Sequence, residues 1–495
     1  MAGRIPSRKI DQARSDALKG RPAGHRVHRY DARRIPGSHY LGMDNDPSIA
    51  LTSRLHRAPH WCGMILRAVV AATLCCCPTG GIRHSAAAQF GTAASSLHNQ
   101  DAPLIPSPSV QIQTEIPSVS ETLADYFPVG AAIWRGDIVG SHSELLRKHF
   151  KSITAENDMK WASLRPTETS FNFSNADALI SFARANHMRV RGHTLVWHKQ
   201  NPPWLFKDAS GNDMRPTPEN KALLLQRLEK HIRGVVSRYK DDVYAWDVVN
   251  ELIDPSEPDG FRRSPWFAIT GTDYINTAFR VAREVAPKAK LFINEYDTTK
   301  PVKRTFLYNL VRDLKKRGVP IDGVGHQMHI NLEEPSVAMI TETIELFSGL
   351  GADNQITELD VSLYNNTTDA WSSIPDDVLI EQGYRYRDIF QALRQMKGKI
   401  SAVTFWGMAD DHTWLKKFPI ERLDLPLLFG DQLQAKLAYW GIVAPSRLPA
   451  RPSTSSFETI GGFTGVYVGM YAAGNGRKST RPADFDWFEY HAEKP

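Results

Sequence analysis

A chain of 495 residues with 42% hydrophobic residues can form one large barrel with extensions or two to three domains, and this composition excludes a wholly disordered chain. The formal net charge of +6 could suggest a nucleic-acid partner. However, residues 1–60 hold 12 Lys and Arg against 5 Asp and Glu, whereas residues 101–495 hold 46 basic and 49 acidic residues. The body is slightly acidic, so we expect no nucleic-acid partner.

The cysteines indicate an export signal near the start of the chain. All four lie within sixteen positions: Cys62, Cys75, Cys76 and Cys77. Three adjacent cysteines cannot space metal ligands or an ordinary disulfide framework. The stretch "MILRAVVAATLCCCPTGGIRHSAAAQ" instead has an early arginine, an apolar run and small residues, as a secretory leader does. The apolar run is too short to span a bilayer.

This pattern predicts a signal peptide at residues 64–88 and a secreted protein, extracellular or periplasmic, without membrane association once the leader is removed. Residues 1–63 are rich in arginine and lack a periodic apolar pattern. We interpret them as upstream sequence included by a wrong start site; a disordered basic tail is the alternative. Residues 89–117 are rich in Ser, Pro, Gln and Ala and are predicted to be a linker.

Residues 118–446 alternate strand-like apolar runs with amphipathic stretches such as "KALLLQRLEKHIRGVVSRY", which is typical of parallel βα units. Eight runs and intervening helices in about 330 residues predict an α/β fold, a (β/α)8 TIM barrel. The runs, in order, are "FPVGAAI", "FKSITAEN", "RVRGHTLVW", "VYAWDVVNE", "KLFINEYD", "GVGHQMHI", "NQITELDV" and "AVTFWGM".

Polar and aromatic residues cluster at the end of six of these runs. In a TIM barrel the site forms at the C-terminal ends of the strands, so these side chains are expected to converge on one rim. They are Glu156, Asn157 and Lys160 at strand 2; His193, Trp197 and His198 at strand 3; Asn250 and Glu251 at strand 4; Gln327 and His329 at strand 6; Glu358 and Asp360 at strand 7; and Trp406 at strand 8.

Glu251 and Glu358 end strands three apart and should face each other across the barrel mouth. Glycoside hydrolysis needs such a pair, because one carboxylic acid protonates the leaving oxygen while a second carboxylate attacks or activates water. A metal site is the alternative, since histidines and carboxylates share the rim. We rank it well below, because there is no HExxH motif and the rim tryptophans suit sugar faces. We therefore expect neither a metal nor a cofactor.

Five ordered motifs over residues 118–446 resemble the endo-β-1,4-xylanases of glycoside hydrolase family 10. They are "RGHTLVWHKQNPPW", "WDVVNE", "GHQMH", "ITELD" and "WGMADDHTWL". The resemblance implies a retaining hydrolase that cuts internal bonds of β-1,4-xylan, with xylan and xylo-oligosaccharides as its partners. A monomer is expected.

The resemblance also implies roles for individual residues. Glu251 corresponds to the acid/base and Glu358 to the nucleophile, with Asp360 in support through His329. The remaining positions match substrate-binding residues of the family. They are Glu156, Asn157, Lys160, His193, Trp197, Gln200, Asn250, Gln327, His329, Trp406 and Trp414.

Other candidates have simpler explanations. "FINEYD" repeats the Asn-Glu dipeptide one strand after Glu251, and we expect Glu295 to support the site from behind. His198 is expected to be structural. The tryptophans Trp161, Trp204 and Trp266 are expected to be core or loop anchors rather than sugar platforms.

A second Pro/Ser-rich linker is predicted at residues 447–456, followed by 39 residues with strand-like alternation around an Asn475-Gly476 turn. Residues 457–495 resemble the last strands of the β-sandwich domain of family 43 β-xylosidases. A whole sandwich needs about 100 residues, so we expect a partial β-sandwich-like tail, a short C-terminal β-strand appendage.

Two alternative functions stay open at this point. A β-1,4-glucanase, or a mixed xylanase and glucanase, could use the same barrel, since the difference is room for a hydroxymethyl group. A non-catalytic xylan-binding barrel would be indicated by a missing carboxylate, but both Glu251 and Glu358 are present.

Overall fold

The computed structural model describes residues 110–451. The predicted basic segment, signal peptide and C-terminal tail, most of the first linker and half of the second lie outside the described residues. Residues 110–117, expected to be the end of the first linker, pack on the folded body. Ile112 is 7% exposed within the core, and Gln113 accepts a hydrogen bond from the Ala435 amide at 2.8 Å.

Nine parallel strands form the sheet of the described region. Their side chains are almost entirely buried, as expected for strands covered on both faces. The strands are β1 Val129–Ile133, β2 Ser152–Ala155, β3 Arg189–Val196, β4 Val243–Asn250, β5 Lys290–Glu295, β6 Gly323–His326, β7 His329–Asn331, β8 Asp353–Ser362 and β9 Ile400–Phe405.

The sheet closes on itself. β1 pairs in parallel with both β2 and β9, and β6 pairs with both β5 and β8, so eight strands form a closed barrel with β7 as an extra short strand. The predicted TIM barrel is therefore confirmed, with each predicted run at its predicted place in the strand order.

The sixth predicted run is divided into two strands. β6 ends at His326, Met328 has a positive φ of 60°, and the chain resumes as β7. β7 no longer pairs with β5; it lies along the second half of β8, with His329 in register with Asp360. The break therefore sets an imidazole directly beside an acidic residue of the neighbouring strand.

Helices connect the strands around the outside of the barrel. Several begin with a serine or threonine cap, for example Thr217, which accepts from the Asn220 amide ahead of Pro218. The helices are α1 Val119–Thr122, α2 Gly140–His149, α3 Trp161–Leu164, α4 Ser174–Ala185, α5 Pro218–Tyr239, α6 Pro265–Thr270, α7 Asp273–Val285, α8 Pro301–Lys316, α9 Val337–Ser348, α10 Asp376–Gln395 and α11 Leu437–Val443. None of these helices is long and apolar enough to cross a membrane.

One hydrophobic core runs through the described residues. Trp161 and Trp266 are 3% and 1% exposed and lie against each other with ring centroids 5.3 Å apart, so both are core anchors. Burying a large apolar side chain contributes on the order of 1.5–3 kcal/mol. The core thereby fixes the outer ring of helices to the barrel and holds the strand ends in place.

Candidate active site

The two candidate carboxylates lie at the C-terminal ends of strands on opposite sides of the barrel. Glu251 directly follows β4, and Glu358 lies within β8. Both side chains are largely buried, at 13% and 6% exposure. A buried carboxylate is costly unless hydrogen bonds satisfy it, so the partners of each one define its role.

Glu358 is held through both carboxylate oxygens. His329 Nε2 donates to Oε2 at 3.0 Å, and Asn294 Nδ2 donates to Oε1 at 2.6 Å. His193 Nδ1 lies 3.9 Å from Oε1. The two hydrogen-bond donors, His329 and Asn294, come from different strands and fix the orientation of the carboxylate.

His329 joins Glu358 to a second buried acid. Its Nδ1 donates to Asp360 Oδ2 at 2.9 Å, and the same oxygen accepts from Trp414 Nε1 at 2.8 Å. Burial alone would lower the pKa of His329, but the charge of Asp360 and the hydrogen bonds to Asp360 and Glu358 raise it to about 10. The imidazole is therefore a cation at neutral pH and a donor to both acids.

Asn294 is a site residue that the sequence reasoning missed. Its Nδ2 donates to Asn250 Oδ1 at 2.9 Å as well as to Glu358, while its Oδ1 accepts from Thr357 Oγ1 at 2.6 Å. The repeated Asn-Glu dipeptide is its signal in the sequence, and in the structure Asn294 pairs in register with Asn250 on the adjacent strand.

Glu251 has a different environment. Gln327 Nε2 donates to its Oε1 at 3.3 Å, and His198 Nδ1 lies 3.9 Å from Oε2. Burial raises the pKa of Glu251, but the charge of His198 and hydrogen bonds from Trp197 and Gln327 outweigh burial and lower it in the free protein. Burial also lowers the pKa of His198 to about 4, so near neutral pH this imidazole is uncharged and its effect on Glu251 is weaker.

Glu295, the glutamate of the repeated dipeptide, faces away from this chemistry. It is fully buried, pairs with Lys303 Nζ at 2.7 Å and accepts from the Ile253 amide at 2.9 Å. Burial raises its pKa despite the nearby lysine. Because both oxygens are occupied from within the fold, Glu295 braces the loop after Glu251.

The residues following β2 form a polar patch with the end of β3. Lys160 Nζ and Gln200 Nε2 both donate to Asn157 Oδ1, at 3.0 and 3.1 Å, and Lys160 lies 4.8 Å from the Trp197 ring centroid. Burial lowers the pKa of Lys160, although nearby carboxylates oppose this. This patch presents amide, ammonium and aromatic groups of the kind that bind sugar hydroxyls and faces.

Glu156 belongs to the same patch and has a partner that the sequence reasoning missed. His412 Nε2 donates to Glu156 Oε2 at 2.9 Å, and the His412 ring stacks on Trp134 with centroids 5.2 Å apart. Burial would lower the pKa of His412, but the hydrogen bond and charge of Glu156 raise it to about 9. His412 therefore holds one oxygen of Glu156 in place.

His193 and the tryptophans form the wall around Glu358. His193 Nδ1 is 2.9 Å from Asp247 Oδ2, and Asp247 is held in turn by a double hydrogen bond from Arg191. Trp406 meets the His193 ring edge-on at 5.3 Å, and Trp414 meets the His329 ring at 4.9 Å. Asp247 lies within the "WDVVNE" motif but was not singled out from the sequence.

No group of three or more His, Cys, Asp or Glu side chains between residues 110 and 451 is placed to hold a metal ion. The rim instead combines two buried carboxylates, amide donors and aromatic walls at the C-terminal ends of barrel strands. This combination defines a glycoside hydrolase.

Comparison with known proteins identifies the family. The sequence model of the family described as glycosyl hydrolase family 10 matches residues 118–445, and the chain belongs to this family. Residues 441–491 match the β-xylosidase C-terminal concanavalin A-like domain. Both resemblances expected from the sequence are confirmed.

The relatives cover the barrel region. A thermostable celloxylanase from Thermoclostridium stercorarium is 51% identical over 343 residues, 68% of this chain and 89% of that protein. Endo-1,4-beta-xylanase A from Halalkalibacterium halodurans is 45% identical over 380 residues, 74% of this chain and 95% of that protein. The crystal structure of xylanase B from Clostridium stercorarium F9 matches with a TM-score of 0.65 at 51% identity, covering 67% of this chain and 100% of that chain.

Proposed function

We propose that this protein is a secreted, retaining endo-1,4-β-xylanase that hydrolyses internal bonds of xylan by double displacement. The observation that carries the proposal is the double restraint of Glu358 by His329 and Asn294, at 3.0 and 2.6 Å. The names of the relatives, a celloxylanase and an endo-1,4-beta-xylanase, support xylan as the substrate.

The first step forms a covalent intermediate. A Glu358 oxygen attacks the anomeric carbon as the bond to the leaving sugar breaks, and Glu251 transfers its proton to the departing oxygen. In the second step Glu251, now a carboxylate, takes a proton from water while that water attacks the same carbon and releases Glu358. Two inversions leave the product with the original β configuration.

Glu251 must be protonated for the first step. Its pKa is lowered in the free protein because neighbouring hydrogen bonds and charge outweigh burial. A bound xylan chain covers the carboxyl group and removes water from it, which raises a carboxylic pKa. Substrate binding thus favours the protonated form at the moment when it is needed.

The surrounding residues bind the sugar on the glycone side. Asn157, Lys160 and Gln200 form one hydrogen-bonded patch that offers donors to xylose hydroxyls. Asn250, joined to Asn294 at 2.9 Å, would bind the hydroxyl next to the reacting carbon. Trp406 and Trp414 would cover the faces of the sugar.

A mixed xylanase and glucanase activity is the second candidate, and the observation that favours it is the name celloxylanase carried by a 51% identical relative. Release of reducing sugar from xylan and from soluble cellulose distinguishes the two. A rate on cellulose within about tenfold of that on xylan, a difference of about 1.4 kcal/mol in activation free energy, would favour the mixed activity.

The mechanism is tested by removing each carboxylate. Glu358→Ala should abolish activity on every substrate. Azide should restore turnover of this variant only with the inverted α-glycosyl azide as the product. Glu251→Ala should still react with substrates that have a good leaving group, and azide should then release the β-azide. Proton NMR of the first products reads out the configuration. An α product from the unaltered enzyme, or full activity of Glu358→Ala, would overturn the proposal.

Export rests on the sequence pattern at residues 64–88. The mature protein is expected to begin near Gln89 and to lack all four cysteines. N-terminal sequencing of protein from the medium or periplasm checks this, and residues from before position 64 in that protein would contradict both the leader and the wrong start site.

A further inference from the structure

The backbone of Glu251 has an unusual conformation. Its φ is 56°, in the left-handed region that side chains other than glycine and asparagine rarely adopt. Its amide donates to the Asn294 carbonyl at 2.9 Å, which keeps this residue aligned with β5. A residue holds such a conformation only where its surroundings impose it, and such residues cluster at functional sites.

Arg262 supplies a second restraint on the same residue. Its Nε donates to the Glu251 carbonyl oxygen at 2.8 Å, and its second guanidinium nitrogen donates to the Ile253 carbonyl at 3.2 Å and to the Tyr296 hydroxyl at 2.7 Å. One planar guanidinium thus ties the first turn after β4 to the residue that follows β5.

The chain between these residues explains how Arg262 reaches this position. Residues 252–262 leave the barrel and return as a narrow loop, in which the Asp254 amide donates to Gly260 and the Arg262 amide donates to Leu252, both at 2.9 Å. Gly260 turns with a φ of 76° against the Phe306 ring, where a Cβ would lie 2.3 Å from a ring carbon. The loop therefore returns Arg262 to the carbonyl of Glu251.

We propose that Arg262 is a positioning residue that holds the Glu251 backbone in its left-handed conformation and thereby aims the acid/base carboxyl at the glycosidic oxygen. This inference rests on the proposed function of Glu251. The hydrogen bonds of Arg262 reach main-chain carbonyls and a hydroxyl, so Arg262 acts through Glu251 and not on the sugar.

The test uses aryl β-xylobiosides with leaving groups from phenol to 2,4-dinitrophenol. A misdirected acid slows only substrates that need a proton, so Arg262→Met should lower kcat/KM for the phenyl substrate by about 100-fold and for the dinitrophenyl substrate by less than about threefold. Arg262→Lys, which keeps one donor, should lower kcat/KM for the phenyl substrate by about tenfold. Tyr296→Phe, which removes only the outer hydroxyl, should show the same selectivity with a smaller loss.

Arg263→Met is the matched control. Arg263 is the next residue, is 42% exposed and pairs with Glu257 and Asp259 rather than with Glu251, so its kinetics should not change. A burst of one equivalent of dinitrophenolate from Arg262→Met would show that this variant is folded with a working nucleophile. Azide should then accelerate its turnover, because azide needs no general base.

Equal losses on both substrates, or no loss on either, would overturn the role of Arg262. Glu251→Ala, measured on the same substrates, separates this failure from failure of the proposed function. If Glu251→Ala shows no leaving-group dependence, Glu251 is not the acid/base; if it does and Arg262→Met does not, only the positioning role is wrong.

Discussion

Replacing Asp360 with asparagine removes one charge from the buried chain of groups behind Glu358, the proposed nucleophile. Asp360 is fully buried, and its Oδ2 accepts from both His329 Nδ1 at 2.9 Å and Trp414 Nε1 at 2.8 Å. Asparagine keeps the shape and one acceptor oxygen but is neutral. The His329 cation is then left with Glu358 as its one hydrogen-bonded carboxylate.

The expected loss of stability follows from these two hydrogen bonds. A hydrogen bond to a charged group contributes about 1.5–3 kcal/mol, and a neutral one about 0.5–1.5 kcal/mol. The Trp414 bond becomes a neutral one and should weaken by about 1 kcal/mol, and the His329 bond keeps its charged donor but loses its ion pair at a similar cost, so Asp360→Asn should lower the free energy of unfolding by about 2 kcal/mol at pH 6. kcat/KM should fall as well, because Glu358 loses part of its support.

The pH dependence has a defined sign. Burial opposes protonation of His329, but the two carboxylates raise its pKa to about 10 from an ordinary 6.5. A raised pKa stabilises the fold fully below pH 6.5, and this contribution is lost as the pH rises toward 10. In Asp360→Asn the pKa of His329 in the folded protein should lie closer to 6.5, so this variant should lose less stability as the pH rises. The difference in stability between the two proteins should be largest at pH 6 and shrink toward pH 10.

Urea unfolding of both proteins between pH 6 and pH 10 measures this difference. Asp411→Asn is the control, since Asp411 also pairs with a histidine, His142 at 2.8 Å, but is 30% exposed. Its substitution should therefore lower the free energy of unfolding by less than Asp360→Asn does. A stability difference that stays constant over this pH range, or that is absent at pH 6, would refute the proposed charge state of His329.

Two further predictions concern the residues proposed to bind the glycone. His412→Gln should weaken xylotriose binding by about fivefold at pH 7, equivalent to about 1 kcal/mol, because Glu156 loses a charged partner. Burial opposes the pKa increase of His412, but Glu156 raises this pKa to about 9. Xylotriose binding to the wild type should therefore weaken above pH 9, whereas binding to the variant should not. Titration calorimetry measures both affinities. Trp406→Ala and Lys160→Ala should each reduce turnover of short oligosaccharides more than of polymer, because a polymer gains binding from other subsites. Equal kinetic losses on both substrates would indicate a purely structural role.

The sequence alone determined the barrel and the location of its site. Parallel strands buried on both faces appear as short apolar runs, and the polar residues that end them must meet at one rim once the sheet closes. Glu251 and Glu358 could therefore be selected from their strand ends and motifs alone. Family membership followed from the same motifs and is confirmed by the match over residues 118–445.

Only the tertiary structure showed which partners hold groups that are alike in sequence. Asn250-Glu251 and Asn294-Glu295 are the same dipeptide, yet Glu295 is paired with Lys303 from α8 while Asn294 bonds Glu358 from β8. Likewise, the role of Arg262 depends on a loop that returns it to Glu251. These partners lie between 8 and 64 residues apart in the chain, and a local pattern carries no information about contacts that form only when the barrel closes.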